Sequence, residues 1–537
     1  MEVREAHSWS RSVIFLLIGI LFCLSISRFL SLNRSTFLRG ADAYYYALQA
    51  RFLVEKGVMC IPDSSPFIPC LALTSQLGLT YEKTINLWTV FIQLLGVINS
   101  LFIWGLAKRR NKVSILTLFL LLSWVMLSPT FFFTSLEFPK YALALAMLPL
   151  WLAVFANRRF WLVSMGAVIL SCIMHRALIG LLGLSVIGAG LFFIFKRRVW
   201  EGLVKTATDT KRKRMIAGSG VVTALLFLAV LKTGYFSWLD LARFDWQNVQ
   251  PAWITFFGRE ATPLVLKIEV LLAFLLIGGI ITFNAAAKEM LLTLGSWLWL
   301  PFIFFIVAFP LGSVEVMGVA ERLCLAIPLV AVVFVLSLSS DSREKRDCVV
   351  RSSRVKKIVI SFVMIGVSFP LLLVQVFPDD YLKLVHPEQL NPDYGLYDAI
   401  TKILAEQEID MLIAHRGLNF YYKYQTLQEA FHYEPEDHWP KELIWRVVYG
   451  ISPSEWAFYL PSDFLWESGN LYTLVGPYSL IREDGWVKFR DSVRNSKDVY
   501  LQERVFSLWL NPVQRRPAFL YQKHSEEEGV FSARPKD

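Results

Sequence analysis

The sequence predicts a multi-pass α-helical membrane protein with about eleven transmembrane helices and a C-terminal soluble α/β domain. Three observations carry this reading. Of 537 residues, 55% are hydrophobic, 15% aromatic and only 18% charged, too apolar for a soluble chain of this length. Runs near the ~20 apolar residues that a helix needs to cross a ~30 Å hydrocarbon layer recur as far as Phe377. Clusters of lysine and arginine alternate with those runs.

The runs fall at about 12–30, 86–107, 113–133, 140–156, 160–174, 177–195, 215–234, 264–284, 290–310, 322–338 and 357–377. Arg11 precedes the first, as in a signal peptide, but the apolar stretch continues to Leu30 without a small-x-small cleavage site. A retained anchor is the expectation. The net charge of +10 resides mostly in Lys108–Lys112, Arg158-Arg159, Lys196–Arg198, Lys211–Arg214 and the stretch Arg343–Lys357. With the N-terminus inside, all of these face the cytoplasm, as the positive-inside rule requires. The basicity therefore reports topology and excludes nucleic acid as a partner. The same alternation puts 31–83, 131–140, the turn at 175–176, 235–263, 311–321 and everything after 378 outside.

Three regions follow: residues 1–83, a first crossing and a long outer loop; 84–377, the remaining bundle; and 378–537, an extracytoplasmic domain. No internal repeat is evident, which weighs against transporters built from duplicated halves. Cys60 and Cys70 share the first outer loop; they are either two thiols or a disulfide worth about 2–3 kcal/mol.

Within that loop, Ala43 to Gly57 reads as a helix. Tyr45, Leu48 and Phe52 share a face, Gln49, Arg51, Glu55 and Lys56 lie mostly on the others, and Gly57 stops it. It is expected to lie along the membrane surface. Asp42 precedes it in Arg39-Gly-Ala-Asp-Ala-Tyr-Tyr-Tyr46. One account makes Asp42 the helix cap, worth ~1 kcal/mol; the other makes it a site carboxylate at the membrane surface.

The stretch Phe160–Phe195 is 36 residues, ~54 Å as one helix and too long for one crossing. An arginine held at the bilayer centre costs about 2.5–3.5 kcal/mol or more. A hairpin turning at His175-Arg176 avoids that cost and places both residues outside. In the tail, Phe377-Pro378-Asp379-Asp380 reads as a helix stop, Tyr394–Gln407 as a helix, Met411–Ala414 as a strand and Trp439–Tyr449 as a helix. Its tryptophans suit core packing or stacking on sugar rings.

Charges near the membrane on the outer side are few. They are Asp42, Asp63, Glu137, Lys140, His175, Arg176, Arg259, Glu260, Glu315, Glu321 and Arg322. Carboxylates can take a proton from an attacking hydroxyl, and arginines can bind a phosphate bidentately and stabilise a departing one. The set suits an anionic substrate and a proton transfer.

The order of a first crossing, an outer loop opening with Asp42-Ala-Tyr-Tyr-Tyr, a helix ending Glu55-Lys56-Gly57, and then a bundle resembles the GT-C membrane glycosyltransferases. That superfamily includes oligosaccharyltransferase catalytic subunits and protein O-mannosyltransferases. Glu137, His175, Gly318-Val-Ala-Glu-Arg322-Leu and the terminal domain extend the likeness over nearly the whole chain.

The resemblance implies transfer of a sugar from a polyprenyl-phosphate or -diphosphate carrier to a protein, glycan or lipid acceptor on the extracytoplasmic face. It makes Asp42 the base or a metal-linked carboxylate and Glu137 the second acid. Lys140, His175, Arg176, Arg259 and Arg322 become candidates for substrate binding. No organic cofactor is implied; Mg or Mn shared by Asp42 and Glu137 is compatible. The Trp-Trp-Asp signature of oligosaccharyltransferases is missing, since Ser296-Trp-Leu-Trp299 lacks the acid and lies in a crossing. A bacterial inner membrane with the tail in the periplasm is expected, and an endoplasmic reticulum membrane fits the topology equally. The rival reading is a transporter or flippase of a lipid-linked glycan, which predicts charges within the helices; Lys267 and Glu269 are the notable ones. Asp42, Glu137, His175 and Arg322 are expected to converge on one outward-facing cavity.

Overall fold

The computed structural model describes residues 19–40, 42–61, 63, 65–108, 115–151, 160–175, 178, 249–259, 262–283, 312–313, 319–338, 378–387, 394–405, 411–414, 416–427, 430–432, 445–449, 470–475, 500–506 and 518–524. The expected crossings at 177–195, 215–234, 290–310 and 357–377, along with Arg176, Glu260 and Glu315, lie almost wholly outside these residues. Contacts divide the chain into two compact units that interleave in sequence. The first comprises Met1–Thr36, Pro62–Thr74 and Lys83–Leu390, and the second Phe37–Ile61, Ser75–Glu82 and Asn391–Asp537.

Three helices of the first unit turn apolar side chains outward and bury polar ones among an otherwise apolar core. In Gly19–Leu32, Phe22, Ile26 and Leu30 are exposed whereas Ser25, Arg28 and Ser31 are buried. In Tyr81–Lys108, Leu87, Phe91, Ile98 and Phe102 face outward while Thr89, Gln93, Asn99 and Ser100 are buried. Leu264–Phe283 repeats the pattern, with Leu264, Ile268, Leu271 and Leu275 outside and Glu269 inside. Water would drive the opposite arrangement; a hydrocarbon surround favours this one. Among the described residues, Tyr81–Ile103 (23 residues) is the one stretch long and apolar enough to span a bilayer by itself.

Several expected crossings are interrupted. The run at 113–133 is two helices, Ile115–Leu127 and Pro129–Glu137, joined at Ser128. Ser128 caps the second helix, its hydroxyl accepting from Phe131 N at 3.1 Å, and Pro129 suits the first helical position. Side chains from elsewhere satisfy the broken ends. Arg28 Nη1 donates to Met126 O at 2.6 Å, Tyr381 Oη to Leu127 O at 2.7 Å, and Glu269 Oε2 accepts from Thr130 N at 2.7 Å. A cation thus meets a helix C-terminus and an anion an N-terminus, each where the backbone dipoles favour it. Residues 131–140, expected as an outer loop, are consequently helical on both sides of Phe138 and mostly buried.

The run at 140–156 likewise divides into Pro139–Ala146 and Leu148–Trp151, with Asn99 Nδ2 donating to Ala146 O at 2.8 Å. The 322–338 run divides into Val319–Leu325 and Ile327–Leu338. Trp161–Met174 ends at His175, which is extended (φ −150°, ψ 118°); the rest of the expected hairpin turn lies outside the described residues. Pro378–Val385 is a helix with Asp379 and Asp380 in its first turn; the crossing expected to stop before it lies outside the described residues. Strands β1 (Val249–Gln250) and β2 (Gly312–Ser313) pair antiparallel. They lead into Ala252–Gly258 and Val319–Leu325, which pack together.

The second unit is α/β. Strands β3 (Met411–Ala414), β4 (Ala430–His432), β5 (Trp445–Tyr449), β6 (Asn470–Val475), β7 (Tyr500–Phe506) and β8 (Ala518–His524) form one sheet in the order β4-β3-β5-β6-β8-β7. The first four run parallel and β8 and β7 add antiparallel. Helix Arg416–Thr426 is the crossover between β3 and β4. Tyr394–Ala405 and β3 match the sequence expectation, but Trp445–Tyr449 is a strand where a helix was expected, in keeping with its β-branched and aromatic residues.

Helix Ala43–Lys56 belongs to this unit and packs on Arg416–Thr426. Tyr44, Tyr45 and Tyr46 are all buried, Tyr44 meeting Tyr394, Tyr421 and Tyr424 at ring-centroid distances of 4.6, 4.8 and 5.3 Å. Gln49, expected on a polar face, is fully buried, its Nε2 donating to Ile61 O at 2.9 Å and its Oε1 accepting from Ile61 N at 3.3 Å. Gly57 closes the helix at φ 73°, a conformation that glycine adopts without strain. Cys60 and Cys70 are both thiols.

Candidate functional site

Asp42 stands at the N-cap of Ala43–Lys56 with φ −97° and ψ 6°, yet its side chain makes no capping hydrogen bond. It is half-buried. The cap account of this residue therefore lacks the bond on which it depends, and the carboxylate is not committed to the helix end.

In the first unit, five consecutive residues, Glu137 to Tyr141, gather most of the other candidates. The helix break at Phe138-Pro139 makes this possible, because it turns successive side chains in different directions. Glu137 Oε1 forms a short hydrogen bond with His386 Nε2, both side chains buried. The Phe138 ring lies under the Arg322 guanidinium, 4.1 Å from Cζ to centroid, within cation–π range. Lys140 Nζ pairs with Asp63 Oδ2, and these side chains are 18% and 10% exposed. Tyr141 donates its hydroxyl to Arg322 O at 2.8 Å and meets the His175 ring edge-on at 5.1 Å. Arg322 Nη1 in turn reaches His175 Nε2 at 3.4 Å.

Each partner is held from its own side. Asp63 Oδ1 accepts from Ser65 N at 2.9 Å, so the loop that carries it is folded over its own carboxylate. Ser65 Oγ bonds Met174 O at 3.3 Å, tying that loop to the helix end that presents His175. Arg259 ends helix Ala252–Gly258, and its carbonyl accepts from Lys267 Nζ at 2.6 Å. The two charges noted within a crossing thus have structural partners: Lys267 bonds a helix-end carbonyl and Glu269 caps another helix.

Of the residues singled out from sequence, Glu137, Lys140, His175, Arg322 and Asp63 are joined through this one segment. Arg259 sits on a helix packed against that of Arg322, and Asp42 belongs to the other unit. Phe138, Tyr141 and His386 were missed. The chain has only seven histidines, and that scarcity was the one signal the sequence offered for His386. The segment offers alternating acids and cations, suited to proton transfer and to an anionic group that displaces one ion-pair partner. Among the described residues no three His, Cys, Asp or Glu side chains form a metal-holding group. Glu137 is moreover engaged by an imidazole.

No protein-family model matches the sequence, and no curated protein matches it significantly. Solved structures do match. The crystal structure of ArnT from Cupriavidus metallidurans in the apo state is 14% identical, covering 96% of this chain and 98% of that one with a TM-score of 0.53. ArnT from Cupriavidus metallidurans bound to undecaprenyl phosphate is 13% identical, covering 95% and 98% with a TM-score of 0.50. Identity this low establishes the fold, and it does so over nearly the full length of both chains. The chain therefore shares the fold of these ArnT structures.

Proposed function

We propose that the chain is an integral membrane glycosyltransferase that moves a sugar from a polyprenyl-phosphate or -diphosphate donor to an acceptor on the extracytoplasmic face. The chain-long likeness to ArnT, which has been seen with undecaprenyl phosphate bound, carries this reading. The joining of Glu137, Lys140, His175 and Arg322 through one segment supports it.

In the reaction, an acceptor hydroxyl or amine attacks the anomeric carbon. The bond from that carbon to the carrier phosphate breaks, its electron pair leaves with the phosphate, and a carboxylate takes the acceptor's proton. Asp42 is assigned as that base because it is a carboxylate without a capping role. Glu137 is the second acid, and Lys140, His175, Arg176, Arg259 and Arg322 bind the donor phosphate. The flippase reading predicts charges lining a path through the helices; the buried charge at Glu269 instead closes a helix end.

The test uses purified full-length protein in liposomes with radiolabelled sugars on undecaprenyl phosphate and diphosphate. Wild type is expected to transfer or release sugar from one donor, and Asp42→Asn to lose about 10²–10⁴-fold in rate, the range for a general base. Passage of intact donor across the bilayer without consumption, or an Asp42→Asn variant as active as wild type, overturns the proposal.

A further inference from the structure

We propose that His386 is the positioning residue for Glu137, holding that carboxylate in the single orientation that sugar transfer uses; the inference rests on the reading above. Glu137 is the last residue of helix Pro129–Glu137 and is 6% exposed. Burial removes water from its carboxyl oxygens, which therefore need hydrogen-bond donors from the protein, and a donor placed against Oε1 supplies one.

His386 meets that need by construction. It directly follows helix Pro378–Val385, its N–H bonded to Leu382 O at 2.8 Å, and it is fully buried. The C-terminal ends of two helices thus meet at this pair. The ring also stacks on Phe133 (centroids 5.6 Å apart, planes at 30°), one turn before Glu137. One helix therefore supplies both the acid and the platform that orients its partner.

Several other charged groups on the elements packed around this helix have partners of their own, and Asp380, Lys383 and Glu321 lie on the same elements. Lys140 is with Asp63, Arg322 with His175 and Phe138, Glu269 with Trp124 and Thr130, Lys267 with Arg259 O, and Asp379 with Ser31 and Arg34. A purely structural pair would clamp two helices and affect only stability. A positioning pair changes turnover in a folded protein, and the difference is measurable.

The experiment compares His386→Gln, His386→Asn, His386→Phe, Glu137→Gln and the double variant Glu137→Gln/His386→Phe in the lipid-donor assay, alongside thermal melting. Glutamine can reach Glu137 with an N–H; asparagine, one methylene shorter, cannot; phenylalanine keeps the stack on Phe133 without a donor. Expected is a kcat loss of about 10–100-fold for His386→Asn and His386→Phe, the usual effect of removing an orienting partner. KM for the lipid donor stays within a few-fold, and His386→Gln restores most of the rate. The double variant should be no slower than Glu137→Gln, because His386 acts through Glu137.

If wild type and Asp42→Asn differ as expected but His386→Asn and His386→Phe turn over normally, the positioning role fails and the glycosyltransferase reading stands. Equal losses in His386→Gln and His386→Asn, or losses that multiply with Glu137→Gln, also overturn it. If wild type consumes no lipid-linked sugar, both fall together. Should His386→Phe not fold, the contrast between glutamine and asparagine carries the test.

Discussion

The segment Glu137–Tyr141, of which Glu137 and Lys140 stood out in the sequence, and the aromatic cluster around Tyr44, flagged there by Asp42-Ala-Tyr-Tyr-Tyr, are built differently. Around Tyr44, polar atoms serve packing. Tyr394 Oη bonds Gly40 O at 2.7 Å, Tyr421 Oη bonds Asp398 at 3.0 Å, and Tyr424 Oη bonds Glu82. Every ring is a wall of the core of the second unit. Around Glu137, packing serves polar atoms: Phe133 orients an imidazole and Phe138 bears a guanidinium. The lesson is that aromatic residues beside an acid in sequence need not serve it, whereas aromatic residues beneath a charged group in space do.

The comparison predicts that changes around Tyr44 cost stability and changes around Glu137 cost activity. Tyr44→Ala should be the most damaging to the fold, by about 3–5 kcal/mol as for other large buried rings, seen as a lower unfolding midpoint of the second unit. Lys140→Gln should reduce turnover about 10²–10³-fold, the scale for one group stabilising developing charge. Its melting temperature should fall less than that of Tyr44→Ala; the reverse ranking would erase the distinction. Gly96→Ala tests packing alone, since an added Cβ would lie 2.9 Å from Phe131 Cε1. A cost of about 1–3 kcal/mol is expected, with activity retained in the folded fraction.

The tyrosines also predict an alkaline limit. Burial first of all raises the Tyr44, Tyr421 and Tyr424 hydroxyls, and Tyr422 is pushed up to about 12. Below the ordinary tyrosine value the folded and unfolded forms are both neutral. Above it the unfolded chain ionises first, so stability declines as pH climbs toward the raised values. Tyrosinate absorbance should therefore rise together with unfolding rather than before it. The smallest effect belongs to Arg34→Ala. Asp379 is held below the usual carboxylate range by the Ser31 hydroxyl and then by Arg34. That contribution is present at neutral pH and fades as pH falls through the lowered value. Because Arg34 and Asp379 are 70% and 50% exposed, about 0–1 kcal/mol is expected, diminishing in salt.

Much of this was legible. Single helices occupy the expected crossings near 86–107, 160–174 and 264–284, and Met411–Ala414 is the expected strand. The failures share a cause. Hydropathy sees the apolar run at 113–133 but not the break at Ser128, because Arg28, Tyr381 and Glu269 stabilise that break from distant parts of the chain. Gln49 looked solvent-facing because Ile61, its partner, lies beyond the helix. Glu137, Lys140, His175 and Arg322 stood out as rare charges in an apolar chain, so their candidacy was visible without coordinates. His386 was not, since 249 residues separate it from Glu137 and neither residue type implies the other.

The interleaving of the second unit sets a waiting time during synthesis. Arg51 bonds the carbonyl of Tyr424, 373 residues downstream, and at about 5–20 residues per second a ribosome needs roughly 20–75 s to bridge that gap. Throughout this interval the apolar flank of Ala43–Lys56 has none of its eventual C-terminal neighbours. A nascent chain arrested before Tyr394 should present that helix to proteases and to chaperones, and release of the remaining chain should conceal it.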